Sequence, residues 1–253
     1  MKLKKVQIIF LISLSILFQA CTMPNENIES IAQTNSATQI EEYKKEILES
    51  LIEYKKRLDL RNPTAYNKQI QSSLEHQIMM NKDYINLLKD GKRLSSSDEY
   101  FYYAFSKDNI KNRKDFLIIG LYKLIFKAYS MDSEHQFTAM EYSKYGLQKL
   151  YEYLQVVRWK IRVDKNDKGE YLFNTWQNNW QLELAKKYNS DYNIINNLEY
   201  IKSNKESVYD HSNFSFEIII TKMITDVEHT LKKINVEPYE MSISALTGFV
   251  FIL

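Results

Sequence analysis

Five glycines and three prolines in 253 residues constrain this chain more than any motif in it, since average usage would supply roughly 12 percent of these two residues together. Folds rich in strands spend both residues on turns. A chain this poor in them builds long elements with few connections, and its apolar spacing says which kind. Ile40, Tyr43, Ile47, Leu51, Tyr54 and Leu58 recur every three or four residues, the period of one helical face. The pattern predicts an all-α fold, a bundle of six to eight helices.

The same reading continues along the chain. Asn62-Pro63 breaks the first helix and would start the second, with Asn62 as cap and Pro63 at the first helical position. Tyr66, Ile70, Leu74, Ile78, Ile85 and Leu88 carry that helix to Asp90, where Gly91 can end it. So short a turn implies an antiparallel helical hairpin over 38–91, packed on a body of 96–253. Ser96 and Glu99 match a capping box ahead of the aromatic run Tyr100 to Phe105. Phe116 to Tyr129 is apolar nearly all round, as expected of a helix at the centre of the core.

Ser133 and Gln136 offer a second capping box, opening a long helix towards Val163 with Gly146 as a kink point. DKNDKGE at 164–170 is the main turn signal of the second half, and it leaves either two helices or a short β-hairpin near 160–173. Phe173, Trp176, Trp180 and Leu184 then fall on one helical face; Asp191 to Ile201 suits a short helix, and 203–213 a polar loop. Phe216, Ile219, Met223, Val227, Leu231 and Ile234 predict a further long helix. After Pro238 the chain runs apolar as SISALTGFVFIL, suited to docking into the body or to meeting a partner.

The N-terminus carries the compartment signal. Lys2, Lys4 and Lys5 precede the apolar run Val6 to Phe18, the charged and apolar regions of an export signal. That run falls short of the about 20 apolar residues a spanning helix needs. Setting those three lysines aside leaves 31 basic residues against 32 acidic ones, with no clustered basic face, which argues against a nucleic-acid partner. Phe18-Gln19-Ala20-Cys21 resembles the lipobox of bacterial lipoproteins. The resemblance implies removal of the signal peptide 1–20, a thioether-linked diacylglycerol on Cys21 and an acylated amino group there. Two or more chains give a stable anchor to the membrane. It further implies a place in the bacterial cell envelope; Thr22, where an Asp would hold the protein back, points to the outer membrane facing the periplasm. On the residues alone, a soluble exported protein with an incidental cysteine stays open. Cys21 is the sole cysteine, so neither a disulfide nor a Cys-based metal site can form. Residues 21–37 lack sustained periodicity and read as a flexible tether.

Motifs that would carry chemistry fail on their spacing. Asp164, Asn166 and Gly169 match a calcium loop at its first, third and sixth positions, but Lys168 and Thr175 stand where oxygen ligands belong. Asp132-x-x-His135 and Asp226-x-x-His229 set an oxygen beside an imidazole one helical turn apart, without the inward glutamates a di-metal bundle needs. No glycine-rich phosphate loop or nucleophile elbow occurs. The expectation is therefore no cofactor, no metal and no catalytic residue.

What stands out is 19 Tyr, 12 Phe and 3 Trp. Most such stripes build core. Trp176, Trp180, Tyr102 and Tyr103 are the candidates for contact with a partner or ligand. The expected role is non-enzymatic: a lipid-anchored envelope protein that presents a helical surface to another envelope protein. The alternative is a ligand-binding lipoprotein that takes an apolar or glycan molecule between helices, lined by Trp176.

Overall fold

The computed structural model describes residues 25–132 and 142–237. Cys21, His135, the capping pair Ser133 and Gln136, and the apolar segment after Pro238 lie outside them. The described residues are mostly helical, with one two-stranded antiparallel ribbon: the expected all-α bundle.

Helix α1 (Asn25–Arg61) begins well before the point where the tether was expected to end, and Ala37, assigned to that tether, is buried. Its apolar stripe Ile40, Ile47, Leu51, Tyr54 and Leu58 is buried along its length. The helix stops where Pro63 withholds a donor and disfavours helical geometry in the residue before it. Asn62 does not cap a new helix. Its side chain donates back to the Leu58 carbonyl at 2.9 Å and forward to the Asn174 carbonyl at 3.0 Å, and it accepts from the Asn174 N–H at 2.8 Å. Asn67 is the cap instead, accepting from the Gln69 N–H at 2.9 Å.

The next helix, α2, is far shorter than its sequence pattern, spanning Gln71–Met79. It closes at Asn81, whose φ of 53° lets the Lys82 N–H reach the Gln77 carbonyl at 3.0 Å, a Schellman cap. Beyond it the chain leaves the helix and side chains satisfy its backbone. Gln77 Oε1 accepts from the Tyr84 and Ile85 amides at 2.9 and 2.6 Å, the Tyr100 hydroxyl from the Leu87 amide at 2.7 Å, and the Tyr122 hydroxyl donates to the Lys82 carbonyl at 2.8 Å. Gly91 then serves a turn, not a helix end: Asp90 and Gly91 have φ of 52° and 77° between β1 (Leu88–Lys89) and β2 (Lys92–Arg93). Two successive left-handed residues make the tight turn that suits a twisted hairpin.

Helix α3 (Ser97–Phe105) starts with the expected capping box of Ser96 and Glu99. Helix α4 (Arg113–Ala128) is buried almost throughout, the centre of the core as predicted. At its N-terminal end lies a buried charge network. Lys55 of α1 pairs with Asp59 at 2.8 Å and Glu75 at 3.0 Å; Lys114 also pairs with Asp59, and its ammonium lies 3.4 Å from the Tyr66 ring centre.

Helix α5 (Lys144–Val163) is capped by Ser143, so Gly146 sits in its first turn rather than at a kink. The turn after it is closed by a single antiparallel bridge, Lys165 to Tyr171, with Gly169 at a φ of 78°. The Asn166 Oδ1 that the calcium pattern would need accepts instead from the Lys168 and Glu170 amides, both at 3.0 Å. Helices α6 (Asn179–Lys187) and α7 (Glu199–Lys202) follow, and Trp180, Leu184 and Leu198 form a small hydrophobic cluster apart from the main core. Helix α8 (Ser215–Lys233) returns through the bundle, packing mainly on α1 and also on α5.

Candidate functional site

Helix α5 divides its surface between two tasks. Leu147, Leu150, Leu154, Val157 and Ile161 are buried in the core, while Gln155, Arg158, Trp159 and Arg162, at spacings of three and four, share another face. That face looks onto a cleft of about 690 Å3, within the roughly 300–1,000 Å3 of small-molecule sites. The first two turns of α8 supply Phe216, Glu217 and Ile220, the segment between α5 and α8 supplies Tyr171, Trp176, Tyr192 and Phe214, and α1 supplies Tyr54.

The rim is held by specific hydrogen bonds. Asn213 Oδ1 accepts from the Trp180 indole N–H at 3.0 Å and from Asn178 Nδ2 at 2.5 Å, while its amide group donates to the Ser207 and Val208 carbonyls. Glu206 caps α6 by accepting from the Asn179 and Trp180 amides at 3.1 and 2.8 Å. The Tyr171 hydroxyl meets Ser190 Oγ at 3.1 Å, and its ring lies edge-on to Trp176 at 6.4 Å. The Asn62–Asn174 clamp ties this segment to the end of α1.

These bonds occupy Asn178, Trp180, Asn213, Tyr171 and Ser190 and leave a different set facing the cleft. Glu217 bridges two guanidinium groups, accepting from Arg158 Nε at 2.8 Å and Arg162 Nη1 at 3.0 Å. Two cations against one anion leave a net positive charge, and the outer N–H groups of both arginines are without partners among the described residues. Trp159 is 60% exposed, with its indole N–H equally free. At the floor, Tyr54 is 1% exposed, lies edge-on to Phe216 at 5.6 Å and makes no hydrogen bond through its hydroxyl among the described residues. Burial first, and the nearby Glu217 charge second, push that phenol far above its ordinary range, so it stays protonated and can donate.

A second depression of about 550 Å3 adjoins the first, sharing Tyr171 and Trp176 as a common wall. Lys168, Lys186 and Lys187 line it against one carboxylate, Glu170. Lys187 pairs with Glu183 at 3.4 Å, whereas Lys168 and Lys186 have no ion-pair partner among the described residues.

Neither family models, curated proteins nor solved structures match this chain.

The four aromatic candidates separate. Trp176 lines the cleft, but not from the helical face expected of it: α6 starts only at Asn179, because Asn178 and Gln181 form the capping box there. Phe173 turns into the main core against Phe105 at 5.8 Å, while Trp180 and Leu184 join the smaller cluster. Trp180 reaches the cleft, yet it is 5% exposed and held by Asn213. Tyr102 and Tyr103 lie on α3 with their rings 5.2 Å apart and border neither depression. Asp226 is buried on α8, and the His229 ring lies 5.3 Å from Tyr43. Sequence reasoning passed over Arg158, Trp159, Arg162 and Glu217. Their one legible signal was a second stripe on α5, with Trp159 among charged residues off the core face.

Proposed function

We propose that this is a non-enzymatic binding protein of the bacterial envelope, lipid-anchored at Cys21, whose cleft takes a ring-bearing ligand such as a glycan. One observation carries the reading: a largely exposed Trp159 stands beside a cleft of about 690 Å3 that the nearly buried Tyr54 also lines. An exposed indole retains apolar area that a ligand ring would cover, and a hydroxyl at the cleft that bonds no described residue is open to a ligand's polar atom.

Tryptophan fluorescence and thermal-shift measurements across neutral, acidic and amphiphilic sugars and lipids test the capture. A saturable response that Trp159→Ala removes is expected; no response to any probe refutes the reading. Mass spectrometry of the exported protein tests the anchor, where an unmodified thiol at Cys21 would refute that part alone.

A second reading, contact with an envelope protein, is favoured by Leu88 and Tyr102, which are 72% and 62% exposed. They lie on β1 and α3, elements that meet where Lys89 approaches the Tyr103 ring at 5.6 Å. Cross-linking at these positions to one stoichiometric partner would support it.

A further inference from the structure

Most of the groups left free in the cleft can donate, although the hydroxyls of Tyr54, Thr175 and Tyr192 can accept as well. The outer edges of the Arg158 and Arg162 guanidiniums, the Trp159 indole N–H and the Tyr54 hydroxyl can all donate, and the one carboxylate present, Glu217, is already bound to both arginines. A donor set of this kind is unsatisfied by a neutral apolar molecule and complemented by one rich in oxygen acceptors and negative charge. The guanidinium fork fits a carboxylate in two parallel hydrogen bonds.

The positive character continues beyond the first depression. Past the Tyr171–Trp176 wall stand Lys168 and Lys186, both exposed and unpaired among the described residues. Two adjoining positive depressions are a local feature, because the chain beyond its basic leader has 31 basic residues and 32 acidic ones. Trp159, Trp176 and Tyr192 line the first of them.

From this we infer that the ligand is an acidic oligosaccharide. Its sugar rings cover the cleft aromatics, one carboxylate engages the free edges of Arg158 and Arg162, and the chain runs past Tyr171 and Trp176 towards Lys168 and Lys186. This rests on the capture reading above and adds charge and length to it.

The test is calorimetric titration of the full chain with hexagalacturonate, with cellohexaose as the neutral ring control and hexaglutamate as the anionic control without rings. Binding of hexagalacturonate alone is expected, weakening as salt is raised. Arg162→Gln, at a side chain more than half exposed and so removable without loss of the fold, should weaken it about tenfold or more. Lys186→Gln should weaken it severalfold and weaken the dimer digalacturonate less. Equal affinity for cellohexaose would overturn the charge assignment while leaving ring capture intact. Equal affinity for hexaglutamate would overturn the sugar assignment. Silence towards hexagalacturonate alongside a Trp159-dependent response to another probe would overturn the inference alone; silence towards every probe would remove the capture reading with it.

Discussion

Helix α4 passes α3 so closely that a Cβ added at Gly120 would lie 3.0 Å from the Tyr100 Cβ, with Phe101 ring carbons at 3.1 and 3.2 Å. The contact occurs at the buried centre of the bundle, where both partners are packed and neither can turn aside. Gly120→Ala is therefore expected to destabilise the fold by about 1–3 kcal/mol through overpacking, outweighing the roughly 1 kcal/mol that alanine gains over glycine in a helix. Urea unfolding followed by circular dichroism would check the sign; a stabilised variant contradicts the close approach.

Gln77 replaces a turn of helix with side-chain bonding. Its Oε1 is the acceptor for the Tyr84 and Ile85 amides. Gln77→Met keeps much of the volume but leaves two backbone donors without that partner, and a loss of about 1–3 kcal/mol is expected. Amide hydrogen exchange at residues 84 and 85 should accelerate more than exchange in α4.

Asp226 makes stability depend on pH. It is 4% exposed, and its Oδ2 has no hydrogen-bond partner among the described residues. Burial, and then the charge of Glu46, push its carboxyl up to about 7 against the opposing pull of Lys222. The folded state therefore holds a proton that the unfolded state releases between about pH 4 and 7, so this group's contribution to stability rises as pH falls through that window. The slope is at most about 1.4 kcal/mol per pH unit. Asp226→Asn should be more stable than the parent at pH 8, with the difference shrinking by pH 5. Denaturation midpoints of both proteins at the two pH values isolate this group from other carboxyls, and an unchanged difference would refute it.

Lys114 is 1% exposed at its side chain and shares Asp59 with Lys55. Burial holds its ammonium below the usual lysine range, against the pull of Asp59. Replacing Lys114 with Met removes one buried cation and leaves Asp59 to Lys55 alone. A loss of about 1–3 kcal/mol is expected, below the cost of a fully unpaired buried charge because Asp59 keeps Lys55. Replacing both partners, Lys114→Met with Asp59→Leu, would cost more rather than less, because Lys55 would then keep only Glu75, itself 34% exposed. A double-mutant cycle in urea measures this.

Much of the architecture could be read from the residues in order. The stripe from Ile40 to Leu58, the Ser96–Glu99 cap and the apolar helix at 113–128 depend on neighbours within a few turns, which a short window contains. The region after Ile78 misled for a definite reason: Ile85 and Leu88 continue a helical period, but the amides there bond to Gln77 and to Tyr100, partners set by packing. The cleft was legible only through Trp176 and Trp180. Arg158 and Glu217 stand 59 positions apart, and no local spacing announces that two polar faces will meet.

The order of residues settles which segments coil into helices and which side of each is apolar, because backbone hydrogen bonds and side-chain period are properties of adjacent turns. It also states the proposed anchor at Cys21, a matter of chemistry near one end. Packing alone settled where the helical pattern is abandoned, which buried charges are shared between helices, and that the leftover donors of α5 and the floor tyrosine of α1 face one opening. Those outcomes depend on distances between elements remote in the chain, and remote distances follow from how the apolar faces cover one another.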